Sequence, residues 1–134
     1  MAVALIAPPS VIRLRRARGF LDRLIGLAWC SVIDPDQAFL IERCRAVHTF
    51  GMRVPIDVVF ISEQGVVTSV FEGLAPCRMA ACLSGAHVIE FAHGLIWKLK
   101  IMPGNEILLE SLALTVTRKA AGGHCDQFEL GKRV

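Results

Sequence analysis

The sequence predicts an α+β fold that is mainly β: a compact antiparallel β sandwich or barrel-like domain with one N-terminal amphipathic helix packed on it. Three observations lead to this fold class. Short apolar runs rich in β-branched residues are separated by turn residues, only one longer stretch has helical periodicity, and neither βαβ alternation nor a glycine-rich phosphate loop is present. The chain has 134 residues, of which 54% are hydrophobic and 20% charged. The length is that of one compact domain, and the composition, which is more apolar and less charged than average, excludes a mainly disordered chain.

The helix is predicted over 18–28, because apolar residues recur there at helical spacing while Asp22 and Arg23 occupy the other face. A short strand over 11–14 precedes this helix. A turn follows at 33–36, where proline and aspartate favour a bend in the chain.

The remaining elements are strands, each bounded by Pro, Gly or a short polar loop. A hairpin loop is expected at 62–65, a packed loop at 73–85 and a short helical turn at 95–99. The predicted strands are 38–42, 46–52, 56–61, 66–72, 86–91 and 107–117.

The chain is divided into three parts by these elements. The N-terminal segment 1–16 holds the first short strand, and a single β domain covers 17–118. The tail 119–134, with two adjacent glycines and alternating charges, is expected to be partly disordered.

Targeting signals are not apparent in the sequence. The N-terminus lacks the basic start of a secretory signal, and no apolar run reaches the roughly 18 residues that a membrane span requires. The cysteines are odd in number and form no CxxC pair, so neither a disulfide framework nor a redox motif is indicated. We therefore expect a cytoplasmic protein with free thiols at Cys30, Cys44, Cys77, Cys82 and Cys125.

Basic residues cluster near the N-terminus, in a chain whose net charge is +3. The cluster is either a solvated face or a weak anion-binding strip. No aromatic residues interleave it, so a platform for nucleic-acid bases is not favoured. The candidate anion-binding residues are Arg13, Arg15, Arg16 and Arg18, within a cluster that extends to Arg23.

Asp57 is the most informative polar residue, because it interrupts the apolar strand 56–61. A buried carboxylate requires partners. Either Asp57 is structural, bonded to backbone N–H groups of the 53–55 turn or to an arginine, or it is a general base or metal ligand in a cleft. His48 could cooperate with it, whereas Cys44 lies about 13 Å from His48 along an extended strand.

Known catalytic and metal motifs are weak or missing. The series Cys77, Cys82, His87 and His93 reads C-x4-C-x4-H-x5-H, which fits structural zinc poorly. The GxSxG motif is absent, and a paired-carboxylate mechanism would require Asp57 and Glu90 to converge. We therefore expect neither a metal nor a cofactor, and no catalytic residue can be assigned.

The segment 48–61, HTFGMRVPIDVVFI, resembles the signature of the DUF192 family of small bacterial and archaeal proteins. Segment 17–27 is similar to the family's opening helix, Ile89-Glu90 to a later strand, and Gly94 with Pro103-Gly104 to its closing turn.

The resemblance implies a compact, mainly β fold with one helix, and no reaction. It implies a shared site at His48, Thr49, Met52, Asp57 and Glu90. The chain departs from the family at Trp29-Cys30, where relatives often have a basic residue, and at Asn105, which replaces the usual turn aspartate. A catalytic role is therefore not expected at Asn105.

Three functions follow from these observations. The leading one is a non-enzymatic domain that binds a small ligand or a protein partner through a polar cleft near His48, Asp57 and Glu90. The second is an acid–base enzyme, similar to a hydrolase, that uses Asp57 with His48. The third is an anion binder through Arg13–Arg23, or an accessory protein of pilus assembly or secretion, since some DUF192 relatives are encoded among such genes.

Overall fold

The computed structural model describes residues 12–17, 35, 37–109, 113–117 and 127–130. The described part is mainly β, as the sequence predicts, and includes one short helix. Its elements are β1 (Ile12–Arg16), β2 (Gln37–Ile41), β3 (Ala46–His48), β4 (Ile56–Ile61), β5 (Val67–Leu74), β6 (Met79–Cys82), β7 (His87–Ala92), α1 (Leu95–Leu99), β8 (Glu106–Leu109), β9 (Ala113–Thr117) and β10 (Gln127–Leu130).

The strands form two sheets. The large sheet has seven strands in the order β5-β4-β7-β2-β1-β9-β8, and the small sheet has the order β10-β6-β3. β1 and β2 pair in parallel, so the large sheet is mixed and not wholly antiparallel. The large sheet is not closed into the barrel that the sequence suggested, because the edge strands β5 and β8 do not pair as a ladder. Their ends meet through an isolated bridge between Val66 and Glu106 and through backbone hydrogen bonds such as that from Val67 N to the Asn105 carbonyl.

Apolar residues cover both faces of the large sheet, which explains why all six residues of β4 are buried. One face, here called the helix face, packs Val59 and Phe91 against Leu95 and Ile96 of α1. The other, the small-sheet face, carries a second core that includes Phe39, Val58 and Phe60 with Val47, Ala80 and Cys82 of the small sheet. A strand covered on both faces reads as a continuous apolar run, without an alternating pattern.

Several predicted boundaries change. The strand predicted over 46–52 ends at His48, because Met52 N–H donates to the Thr49 carbonyl in a turn where Gly51 has φ 80°. The strand predicted over 107–117 is instead the antiparallel pair β8 and β9. β6 lies within the predicted packed loop, and β10 lies within the predicted tail.

The predicted N-terminal helix over 18–28 lies outside the described residues. The helix that the structure does describe is α1, which starts at the helical turn expected from the sequence. Within the described part of the chain, no helix is long and apolar enough to span a membrane.

Candidate functional site

Asp57 lies near the start of β4 and its side chain is 0% exposed. Oδ1 accepts a hydrogen bond from Gly73 N at 2.8 Å and lies 2.9 Å from His93 Nδ1. Oδ2 accepts from Gly94 N at 2.9 Å and from Ile96 N at 3.0 Å. Four partners around one carboxylate satisfy the requirement that a buried charge be hydrogen-bonded.

The carboxylate of Asp57 supplies a cap that α1 lacks in its own sequence. The N-cap residue is Gly94, which has φ 101° and no side chain to accept the free N–H groups of the first turn. Asp57 reaches those groups from β4, beside the chain that leads from β7 into α1. Of the two interpretations drawn from the sequence, this geometry matches the structural one, with different donors from the expected 53–55 turn.

Gly73 makes room for this arrangement. Its φ is 61°, and a Cβ added there would lie 2.8 Å from Cε1 of His93. A side chain at position 73 would therefore require a left-handed backbone and would displace the imidazole. The glycine allows its N–H and the His93 ring to contact the same carboxylate oxygen.

His93 is the accessible part of this site, because its side chain is 55% exposed while Asp57 is fully covered. From the sequence, His93 was a candidate only as the last member of the Cys77–Cys82–His87–His93 series, which fits structural zinc poorly. Its pairing with Asp57 was missed because 36 residues separate the two in the chain. One sequence signal could have predicted the pairing. His93-Gly94 follows an apolar strand directly and precedes a helical turn, and a helix that starts at glycine needs a cap from another part of the chain.

Glu90 occupies the opposite face from Asp57. It is 4% exposed and lies on β7 between Ile89 and Phe91, both of which face the helix side. Its cross-strand neighbours are Phe39 and Val58 of the small-sheet face. The side chains of Asp57 and Glu90 therefore do not converge, and a paired-carboxylate mechanism using both is excluded.

The N-terminal arginines divide between different environments. Arg16 forms an ion pair with Glu42 at 3.0 Å. The guanidinium of Arg15 lies 5.4 Å from the ring centroid of Phe39. Arg13 is exposed on β1, and Arg18 lies outside the described residues. Anion binding by this cluster stays a prediction.

Thr49 connects two loops and is 0% exposed. Its hydroxyl donates to the Ala75 carbonyl at 2.6 Å and accepts from Arg78 N at 2.8 Å. Its backbone N–H donates to the Arg78 carbonyl, and its carbonyl accepts from Cys77 N. The two loops are therefore held in one fixed arrangement by a single buried residue.

The residues around Thr49 are the other members of the predicted shared site. Met52 is buried in the core of the small-sheet face. His48 is half-buried and its ring stacks on Phe50, with centroids 5.1 Å apart and planes 24° apart. Phe50 N–H donates to His48 Nδ1 at 3.2 Å, and the Phe50 side chain is 50% exposed. Segments 45–53 and 75–79 together are here called the loop surface.

The loop surface is basic. Segments 43–56 and 73–86 contain arginines at 43, 45, 53 and 78 and no aspartate or glutamate. Arg45 and Arg53 are exposed and Arg78 is half-buried. None of these last three forms an ion pair in the described part of the chain.

The cysteines and histidines of the weak zinc series do not assemble. Cys82 is buried near Thr68 Oγ1, His87 accepts a hydrogen bond from Arg43 N, and His93 contacts Asp57. Among the residues that the structure describes, no three His, Cys, Asp or Glu side chains are placed to hold a metal ion. Asn105 is buried in a turn, where its side-chain oxygen accepts from Met102 N.

Two solved structures share this fold. A protein of unknown function from Novosphingobium aromaticivorans has a TM-score of 0.65 at 19% identity, covering 71% of this chain and 73% of the other. A proposed transcription regulator from Sinorhizobium meliloti has a TM-score of 0.64 at 21% identity, covering 78% and 81%. At these identities the likeness shows the fold alone.

Sequence comparison gives the family. No curated protein matches the chain. The model of the DUF192 family, described as "Uncharacterized ACR", matches residues 4–109. This match includes the signature segment 48–61, with Thr49 and Asp57 in the positions described above. The chain belongs to the DUF192 family.

Proposed function

We propose that this chain is a non-enzymatic binding domain, and that its loop surface binds an acidic segment of a partner protein that also carries apolar side chains. The observation that carries the proposal is the frame set by Thr49, whose hydrogen bonds join the loop of the exposed Phe50 to the loop of Arg78. Aromatic and arginine side chains are enriched at protein interfaces.

Charge supports an acidic partner. The loop surface has arginines at 45, 53 and 78 and no carboxylate to neutralise them. Complementary charge speeds association and selects among partners. Guanidinium groups also bind carboxylates in bidentate geometry, which lysine does not offer.

The rigidity of the two loops and a further hydrogen-bond donor, the His48 ring, also favour binding at the loop surface. The hydrogen bonds of Thr49 order both loops before any partner arrives, which lowers the entropy that binding would otherwise cost. His48 Nδ1 accepts from Phe50 N–H, so the proton of the neutral ring lies on Nε2. A partner carboxylate that contacts this ring nitrogen would therefore meet a hydrogen-bond donor.

The enzyme alternative receives less support. His48 lies on the small sheet, whereas Asp57 faces α1 on the other side of the large sheet. Direct general-base cooperation needs hydrogen-bond distance or one bridging water. A ligand that contacts Asp57 itself is also not favoured, because that carboxylate is fully covered.

Binding of a labelled peptide tests the proposal. A short fluorescein-labelled peptide of alternating Glu and Leu is titrated with the full chain at low salt, and fluorescence anisotropy is recorded. We expect saturable binding that R53A/R78A weakens about tenfold and that added salt weakens further. A peptide of alternating Lys and Leu is expected to bind much less.

R13A/R16A is the matched control, since it also removes two basic side chains but leaves the loops intact. Equal weakening by R13A/R16A and R53A/R78A would show that only net charge matters, and would overturn the proposal. So would an absence of binding, or a single-stranded oligonucleotide that binds the same surface more tightly than the acidic peptide.

A further inference from the structure

The small sheet has an exposed edge at β3. In the described part of the chain the strand order is β10-β6-β3, so β3 pairs with β6 and no described strand lies beyond it. Solvent reaches this edge, because Arg45 and Ala46 are exposed and His48 is half-buried. An exposed edge strand presents backbone N–H and C=O groups with which a further strand can pair.

The hydrogen bonds between β3 and β6 show which backbone groups are already used. At one end, Cys82 N–H donates to the Arg45 carbonyl, and at the other end Thr49 N–H donates to the Arg78 carbonyl. Both pairs continue the antiparallel register of the two strands. Bonded and non-bonded pairs alternate along such a ladder, so positions 45, 47 and 49 direct their backbone groups at β6.

The two residues between these positions direct their backbone groups the other way. Ala46 and His48 therefore place their N–H and C=O groups along the free edge of β3. Cys44 Sγ donates to the Ala46 carbonyl at 2.9 Å. A thiol is a weak donor, and a carbonyl has a second lone pair for another N–H group. The edge thus offers two N–H and two C=O groups to an incoming strand.

We propose that the acidic partner segment binds β3 in extended form, as a fourth strand of the small sheet. This inference rests on the function proposed above and states how the partner is held. Charges fit both ends of such a strand, because Arg45 directly precedes Ala46 and Arg78 lies opposite Thr49. Positions 45 and 49 are about 13 Å apart along an extended chain, so carboxylates at the two ends of a five-residue segment match them.

An alternating sequence suits this mode of binding. Successive side chains of a strand point to opposite faces of the sheet, so a segment of alternating Glu and Leu separates its charged and apolar side chains. When a peptide is added to a sheet edge, main-chain hydrogen bonds supply affinity and alternate side chains supply specificity.

Amide hydrogen exchange of the full chain, with and without the peptide of alternating Glu and Leu, tests the inference. We expect the amides of Ala46 and His48 to exchange at least about tenfold more slowly in the complex. The amide of Val47, which is directed at β6 in the free chain, is the internal control and should change less. Unchanged exchange at Ala46 and His48 in the saturated complex would overturn the added strand and leave the proposed function standing. Failure of the peptide to bind would overturn both.

Peptides methylated on alternate backbone nitrogens provide a second test on the unmodified chain. One peptide is methylated at every Glu nitrogen, and its matched control carries the same number of methyl groups at the Leu nitrogens. Only one of these two sets of N–H groups faces β3 in an added strand, so we expect the two affinities to differ about tenfold. A shift by one residue cannot rescue the weaker peptide, because it would exchange the faces of Glu and Leu. Equal affinities of the two peptides would overturn the added strand.

Discussion

The two faces of the large sheet differ in the kind of buried polar group they contain and in its hydrogen-bond partners. On the helix face, the charged carboxylate of Asp57 accepts from three backbone N–H groups and orients one exposed side chain, His93. Beside the small-sheet face, the neutral hydroxyl of Thr49 links two loops. In both places a buried polar group fixes the position of exposed residues: Asp57 orients His93, and Thr49 joins the two loops of the loop surface.

This difference predicts that replacing Asp57 lowers the free energy of unfolding more than replacing Thr49 does. Replacing Asp57 leaves several donors without an acceptor in a buried place, whereas replacing Thr49 loses fewer and uncharged hydrogen bonds. Substitutions at the two sites should therefore lower the free energy of unfolding by different amounts, with the largest loss at Asp57.

Asp57→Ala is expected to have the largest effect. It removes the acceptor of Gly73, Gly94 and Ile96 N–H groups and the partner of His93. We expect the free energy of unfolding to fall by about 4 kcal/mol, measured by urea denaturation. Glu42→Ala, which removes an exposed carboxylate paired with Arg16, is the control and should cost at most about 0.5 kcal/mol. Similar losses in both variants would contradict the structural role of Asp57.

Thr49→Val keeps the shape of the side chain and removes its hydroxyl. The hydrogen bonds to the Ala75 carbonyl and from Arg78 N are lost in a fully buried place. We expect a cost of about 2 kcal/mol. Thr68→Val removes a hydrogen bond to the Phe60 carbonyl and a long one from Cys82 Sγ at 3.5 Å, both at a half-buried side chain, and should cost about 1 kcal/mol or less. A Thr49→Val protein as stable as the parent would show that the loops do not depend on this hydroxyl.

Gly73→Ala tests the packing between Gly73 and His93. A Cβ there combines a φ of 61° with a 2.8 Å approach to the imidazole. We expect a cost of about 2 kcal/mol in the parent chain and a smaller cost in a His93→Ala background. Gly94→Ala, where nothing lies within 4 Å of an added Cβ, should cost about 1 kcal/mol from backbone strain alone. Equal costs of Gly73→Ala in both backgrounds would mean that the His93 ring is not held there.

The sequence predicted the mainly β class and the strands around Asp57, because β-branched runs bounded by turn residues are local signals. It did not predict that β8 and β9 form an antiparallel pair, since residues 110–112 are Glu-Ser-Leu and contain no Gly, Pro, Asn or Asp to mark a turn. It also could not assign Asp57 and Glu90 to opposite faces. β4 is buried on both sides and therefore shows no alternation from which a face could be read.

For the candidate sites, the sequence identified residues but not partners. It predicted that Asp57 must be hydrogen-bonded and that Thr49 belongs to the family signature. The donors to Asp57 lie 16, 37 and 39 residues further along the chain, and Thr49 bonds to residues 26 and 29 positions away. Such long-range pairs depend on strand register, which could not be read from this single sequence because the central strands show no alternating pattern.

One titration tests the proposed function most directly. The peptide of alternating Glu and Leu is added to isotope-labelled chain, and backbone amide shifts are followed residue by residue. We predict that the shifted amides cluster at 45–53 and 75–79, with little change at 93–97 on the other face. Shifts that cluster around His93 and leave the loop surface unchanged would contradict the assignment of the loop surface as the binding site.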